Sequence, residues 1–127
     1  QFNLVPSLHV PDNLAFQARI AGRFDDRWQA DLAERLGLST LLDRYPEQLS
    51  GGQQQRLAIG RALAGRPGLL LADEPTGNLD EATAEEVVKL MTGLVTQANC
   101  ALLMVTHSTR LAALLDRCVH LTGGRIE

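Results

Sequence analysis

The sequence predicts an α/β fold in which a helical first third leads into a parallel strand-helix-strand core, and three observations carry that prediction. Residues 12 to 46 place apolar side chains at helical spacing and contain no convincing strand. Two short continuous apolar runs, Leu69 to Ala72 and Ala101 to Val105, read as strands buried on both faces. The stretch between them is the most regular amphipathic helix in the chain, and strand, helix, strand in that order makes a parallel pair with a right-handed crossover the default.

Each element has a local reason. Residues 1 to 11 carry Pro6 and Pro11 around short apolar pieces and read as an extended or looped entry. Asp12 is placed to cap a helix carrying Leu14 and Ala18. Asp25 or Asp26 is placed to cap a second with Trp28, Leu32 and Leu36, which Gly37 ends. Ser39 opens a short helical turn with Leu41 and Leu42, broken at Tyr45-Pro46. After Leu49-Ser50-Gly51-Gly52-Gln53, a helix with Leu57, Ile59, Ala62 and Leu63 runs to about Ala64, and Gly65, Pro67 and Gly68 stop it. The first apolar strand ends abruptly in Asp73-Glu74-Pro75. Asp80 caps the amphipathic helix of Ala84, Val87, Val88, Met91, Leu94 and Val95, with Glu81, Glu85 and Glu86 suiting its positive end, and Asn99 closes it. The second strand ends at Thr106-His107. Leu111 to Leu115 read as a short helix, Val119-His120-Leu121 as an edge strand, and Gly123-Gly124 as a hairpin turn.

Composition narrows the function classes. The 127 residues suit one domain or part of a larger one. With 45% hydrophobic and 21% charged residues the chain is ordinary globular material, and a formal net charge of -3 supplies no basic field for nucleic acid or anionic lipid. No apolar stretch approaches the roughly 20 residues that span a bilayer. Cys100 and Cys118 are too far apart for a CxxC motif and sit in apolar runs, as reduced thiols would.

Both strands finish in polar residues, Asp73 and Glu74 on one, Thr106 and His107 on the other. In an open parallel sheet, ligands bind outside the carboxyl ends of the strands, so these four side chains are expected around one crevice. Adjacent carboxylates there suit metal-assisted phosphoryl chemistry, Asp73 ordering hydrated Mg2+ and Glu74 polarising an attacking water. A plainer role, capping the following turn at a solvated strand end, is equally open to them. Ser50 and its glycines form a second candidate site, because a helix N-terminus exposes backbone N–H groups to an anion. A simple capping box from Ser50 to Gln53 is the alternative. That box does not require Gly51 and Gly52, each costing about 1 kcal/mol of helix stability, so something is expected to approach their backbone closely.

At these residues the chain resembles a known family. Leu49-Ser50-Gly51-Gly52-Gln53 with Gln54-Gln55-Arg56, the apolar run ending in Asp73-Glu74, the segment Pro75 to Asp80, and Thr106-His107 resemble the signature motif, Walker B, D-loop and H-loop of ATP-binding cassette (ABC) ATPases. The Ala72 to Asp80 wording is similar to the bacterial lipoprotein-release and macrolide-export branch. The resemblance implies a partial P-loop NTPase fold: residues 1–66 as Q-loop remainder and helical subdomain, residues 67–127 as the later part of the ATPase core. It implies ATP and Mg2+ as cofactors, Asp73 supporting the metal, Glu74 as general base, and His107 at the γ-phosphate and the attacking water. It places Ser50, Gly51, Gly52 and Gln53 over ATP bound to a second cassette in a head-to-tail dimer, with Asp80 between the two sites. It further implies a transmembrane permease docked on the helical subdomain, no nucleic acid, and a peripheral cytoplasmic position at the inner face of the bacterial membrane.

The chain departs from the family in places. No Gly-x-x-x-x-Gly-Lys-Ser/Thr phosphate loop, the Walker A motif, is present, and Lys89, the only lysine, lies in the amphipathic helix. Gly60 to Gly65 has the glycine spacing, but Arg66-Pro67 follows and the segment continues a helix. Gln1 directly precedes Phe2-Asn3-Leu4, which places the Q-loop glutamine one position before this chain, and Ser108 stands where an acidic residue is common. The expectation is a carboxy-terminal piece of a transport ATPase, inactive and marginally stable or associated by itself. The alternatives are an ABC ATPase of DNA repair, chromosome structure or translation, or a degenerate cassette that does not hydrolyse ATP.

Overall fold

The helical part assembles first along the chain. In the computed structural model, which describes residues 2–127, helix α1 spans Val10–Ile20 and α2 spans Asp26–Arg35. Gln1, and with it any Q-loop role of that residue, lies outside the described residues. Helix α1 begins two residues before the expected Asp12 cap. His9 is the N-cap, Pro11 occupies the first turn where a missing N–H costs nothing, and Asp12 sits at the positive end. Asp25 caps α2 as expected, accepting from the N–H groups of Arg27 and Trp28 at 3.0 and 3.1 Å. Gly37, at φ +68, turns the chain away after it. The expected helical turn at Ser39 is absent. Only isolated turns form there, with Leu41 N–H bonding Leu38 and Arg44 N–H bonding Leu41, because Leu38 is drawn into the core and holds the segment flat against it.

Residues 2–8 form no regular element, yet they are firmly tethered. The fully buried Asn13 amide accepts from Val5 N–H at 2.8 Å and donates to the carbonyls of Val5 and Leu8 at 3.0 and 2.8 Å. Arg61 donates to the carbonyls of Asn3 and Phe2. Its helix, α3, spans Gly51–Leu63 and packs along α1. There Gly60, half of the rejected glycine decoy, is a packing residue: a Cβ on it would stand 2.5 Å from Leu36 Cδ1 and 2.6 Å from Leu14 Cδ1.

Strands β1 (Leu69–Asp73) and β2 (Ala101–Val105) pair in parallel, Leu69 opposite Ala101 through Asp73 opposite Val105, with α4 (Glu81–Gln97) crossing between them. Asp80 caps α4, and Asn99, at φ +52, closes it. One cluster of buried side chains joins Leu14, Leu32, Leu57 and Leu63 of the first half to Leu70, Val87, Met91 and Leu94 of the second. The expectation that both strands are buried on two faces is corrected. The pleat turns Leu70, Ala72, Leu102 and Met104 toward the core, whereas Leu71 and Leu103 on the opposite face are 67% and 55% exposed. Among the described residues, neither Leu71 nor Leu103 joins a buried cluster.

The carboxy-terminal elements are shorter than expected. Helix α5 covers only Thr109–Ala112, capped by the Ser108 hydroxyl, before the chain continues in turns through Leu115. Instead of an edge strand from Val119, β3 (Leu121–Thr122) pairs only with β4 (Arg125–Ile126) across Gly123 and Gly124, both at positive φ. This hairpin satisfies its own hydrogen bonds locally, so it stays separate from the parallel pair.

Candidate active site

The carboxyl end of β1 stands directly beside that of β2. Asp73 is the last residue of β1, opposite Val105, and its side chain has no hydrogen-bond partner among the described residues. Glu74 follows, and its N–H donates to the Val105 carbonyl at 2.8 Å, extending the ladder by one rung. Its φ of +45 is left-handed, a conformation costing a non-glycine residue about 1–3 kcal/mol unless its surroundings enforce it. The turn does enforce it: Gly77 N–H bonds back to Glu74 O, and Leu79 N–H to the carbonyl of the buried Thr76.

His107 reaches the same place from the second strand. Its Nε2 lies 3.4 Å from Glu74 Oε1, near enough for charge interaction, while the ring is almost wholly open to solvent. Glu74 Oε1 is itself buried and receives no hydrogen bond of good geometry. The fourth expected residue, Thr106, has a local job, its hydroxyl oxygen accepting the Ser108 N–H at 3.1 Å. The structure therefore gathers Asp73, Glu74 and His107 at one end of the strand pair.

A second cluster lies across the turn of residues 75 to 80. Ser50 and Gln53 form the reciprocal capping box, Gln53 N–H to Ser50 Oγ at 3.2 Å and Ser50 N–H to Gln53 Oε1 at 2.9 Å. The close approach that Gly51 and Gly52 led us to expect is made by this chain itself. A Cβ on Gly51 would meet Leu79 Cδ2 at 3.4 Å, and one on Gly52 would meet Thr83 Cγ2 at 3.1 Å. The first turn of α3 thus rests on the first turn of α4. The N–H groups of Gly51 and Gly52 have no acceptor among the described residues.

Asp80 locks this junction. It accepts the Thr83 N–H at 2.9 Å and the Thr83 hydroxyl at 2.6 Å, and these bonds hold its carboxyl below the ordinary value of 3.8. A lowered carboxyl contributes stability that is complete above the unfolded value and lost as the pH falls through the folded one. Asp80→Ala is expected to lower the melting temperature at neutral pH and to flatten the acid-side decline below about pH 3.8. Thermal melts of both proteins across that range check it.

A groove of about 290 Å³ runs between α3 and β1, with Gln55, Asp73, Glu74 and Asn78 as its polar lining and Ile59 and Met91 among its apolar walls. Sequence reasoning passed over two residues here. Thr83 was hidden because its role is to answer Asp80, and Gln55 because nothing in a helical run of glutamines marks which one is buried. Lys89 takes no part, since its ammonium bonds Glu85 at 2.6 Å on the exposed face of α4.

A model of the ABC transporter family matches residues 1–77. The chain belongs to that family. The uncharacterized ABC transporter ATP-binding protein YbbA of Escherichia coli K12 is 44% identical over 129 aligned residues, covering 99% of this chain and 57% of that protein. The lipoprotein-releasing system ATP-binding protein LolD of Novosphingobium aromaticivorans is 45% identical, covering 98% and 57%. The chain thus spans just over half the length of these relatives. The dimeric bacterial ABC transporter cassette MJ0796 superposes with a TM-score of 0.81 at 34% identity, covering 100% of this chain and 58% of that one. A second structure of that cassette is a post-hydrolysis state bound to ADP and Pi. The resemblance to ABC ATPases is borne out over the length of the chain, and with it the α/β fold of a partial ABC cassette. No helix among the described residues is long and apolar enough to cross a membrane.

Proposed function

We propose that the chain supplies the signature, Walker B, D-loop and H-loop portion of an ATP-binding subunit that couples ATP hydrolysis to transport by a membrane permease. The observation that carries this reading is the Glu74 carboxylate, held past the end of β1 on a strained backbone with a buried oxygen beside His107 and no donor on it. A carboxylate so held accepts a proton from water. The water oxygen bonds to the γ-phosphorus as the bond from that phosphorus to the β,γ-bridging oxygen breaks, leaving ADP and phosphate. His107, on the facing strand, is placed to donate to the γ-phosphate and to orient the water.

Asp73 suits Mg2+ as an exposed hard-oxygen donor with no partner of its own. Among the described residues no group of three or more His, Cys, Asp or Glu side chains could hold a metal, so Asp73 would be one protein carboxylate on an ion carried mainly by phosphates and water. When bound, the ion neutralises charge on the transferring phosphoryl group.

The bare N–H groups of Gly51 and Gly52, at the positive end of the 13-residue α3, support phosphate recognition. The Ser50 hydroxyl accepts from Gln53 and keeps its own proton to donate. In this reading Ser50, Gly51, Gly52 and Gln53 close over ATP held by a second subunit, and Asp80 fixes α4 beneath them. The same reading divides the chain into a Q-loop remainder and helical subdomain with the signature motif (1–66), the subdomain facing the permease, and the later part of the ATPase core (67–127), and sets the subunit at the cytoplasmic face of the membrane. A related cassette is dimeric, which supports the paired arrangement.

The dimer contact is tested by Ser50→Arg in the intact subunit. The substitution removes the cap at a cost of about 1 kcal/mol and sets bulk over the glycines. ATP is expected to stop driving monomers into dimers in light scattering, while Ser50→Ala, which loses the same cap, still dimerises. A dimer that forms with Ser50→Arg as it does in the unchanged protein removes Ser50 from the shared site.

A further inference from the structure

His107 is held at the site by little of its own. Its ring is almost wholly exposed, and Glu74 Oε1, 3.4 Å from Nε2, is the one carboxylate oxygen among the described residues within ion-pair reach of it. Where the ring stands is therefore set by the backbone on either side. Ahead of it lies β2, fixed by its ladder to β1. Behind it lies α5, a helix of four residues, too short to be stable by itself in water. Continuous bonds tie this turn to the residues flanking His107: Ser108 N–H donates to the Thr106 hydroxyl oxygen at 3.1 Å, and Leu111 N–H to the Ser108 hydroxyl oxygen at 3.2 Å. The turn is held from outside by two residues, both against α4. Leu111, the buried residue of α5, packs with Ala84 and Val88. Arg110 spreads its guanidinium over two carboxylates, Nη1 on Glu81 Oε1 and Nη2 on Glu85 Oε2, each at 2.5 Å. Lys89 takes the other oxygen of Glu85 at 2.6 Å, so two cations and two carboxylates join in one network. An isolated surface ion pair contributes little to stability, but a planar fork within a network fixes direction, because both of its bonds bend if the helix turns or slides.

We propose that Arg110 is a positioning residue whose fork onto Glu81 and Glu85 holds α5 in one orientation on α4 and thereby sets His107 against Glu74. The inference rests on the reading of His107 at the γ-phosphate. Arg110 touches neither nucleotide nor reacting water in this scheme. It acts through the turn that starts at Ser108, the residue next to His107. Leu111 does not replace it, since an apolar contact is non-directional and leaves the turn free to rotate about it. Glu81 is also the first residue of α4 after the Asp80 cap, so the same fork ties the segment after β2 to the segment after β1.

The test uses the intact ATP-binding subunit and two readouts. Arg110→Gln keeps a long polar side chain and removes the charge and the fork. In its crystal structure the His107 ring is expected farther from Glu74 Oε1 than the 3.4 Å seen here, or spread over several positions. A ring that keeps its place overturns the proposal and leaves the ATPase reading standing. In steady-state kinetics Arg110→Gln is expected to lower kcat about tenfold with KM for ATP and melting temperature unchanged, part of the roughly hundredfold that an ångström of misplacement costs. An unchanged kcat overturns the proposal, as does a loss that follows melting temperature. Glu81→Gln together with Glu85→Gln breaks the clamp from its other side and is expected to lower kcat by the same factor, with no further loss when Arg110→Gln is added. Losses that simply add would place the action of Arg110 elsewhere and overturn the proposal. The same pair of substitutions decides if Arg110→Gln fails to fold. Full turnover in His107→Ala would instead refute the reading of His107, and the place of the ring in the Arg110→Gln crystal would still judge the clamp.

Discussion

Glu74→Gln in the intact subunit is expected to cut ATP turnover by about 10^2- to 10^4-fold, the contribution of a positioned general base, while ATP binding survives. The substitution keeps the shape and length of the side chain and removes the charge that accepts a proton. It should leave the turn intact, because the bonds that hold residue 74 come from its backbone, N–H to Val105 and carbonyl from Gly77. It also eases the burial of Oε1, since a neutral amide oxygen without a donor costs less than a carboxylate oxygen in the same place. Melting temperature is therefore expected to hold or rise as activity falls. Phosphate release and equilibrium nucleotide binding, measured side by side, check both halves. Turnover within a few-fold of the unchanged protein would remove Glu74 from the base role and leave it as a turn residue.

The second large effect lies in the core. Leu14→Ala is expected to destabilise the chain by about 2–5 kcal/mol, because Leu14 is fully buried where α1 meets α3 and the cavity it leaves has little to collapse into it. Against a total of about 5–15 kcal/mol for an ordinary domain, that leaves little margin. Gly60 is the partner that makes the contact specific. Gly60→Ala by itself gains up to about 1 kcal/mol of helix propensity, but its methyl would stand 2.5 Å from Leu36 and 2.6 Å from Leu14. Overpacking of this kind costs about 1–3 kcal/mol and prevails. With Leu14 cut back to Ala, half of that collision disappears and the new methyl fills part of the void. Gly60→Ala should therefore cost less in the Leu14→Ala background than in the unchanged chain. Denaturant midpoints of the four proteins measure the coupling, and strict additivity would show that the two residues do not share one packing site.

Much of the fold is legible in the sequence, and the legible parts share a cause. Asp25, the Ser50–Gln53 box, Asp80, Asn99 and Gly123-Gly124 each act on backbone groups within one turn, so their effect is written in adjacent residues. The spacing of Val87, Val88, Met91, Leu94 and Val95 is likewise a property of one short segment, and it marks the buried side of α4 correctly. The motifs at Ser50–Gln53, Asp73–Glu74, Asp80 and His107 were readable in the same way, as short patterns in order. Where the reading failed locally, another segment had decided the outcome: Leu38, buried in the core, took the place of a helical turn at Ser39.

The sequence by itself determined most of the elements, the caps of α2, α3 and α4, and the family. Tertiary structure alone decided which face of the strands is covered, what approaches Gly51 and Gly52, why Gly60 has no side chain, and which of three successive glutamines is buried. The division follows from range. Hydrogen bonds of caps and turns and the periodicity of a helix join residues a few positions apart, and the neighbouring residues specify them. Burial and close approach join Leu14 to Gly60, Gly51 to Leu79 and Glu74 to His107, pairs far apart along the chain, and only the packing of whole elements against one another brings them within reach.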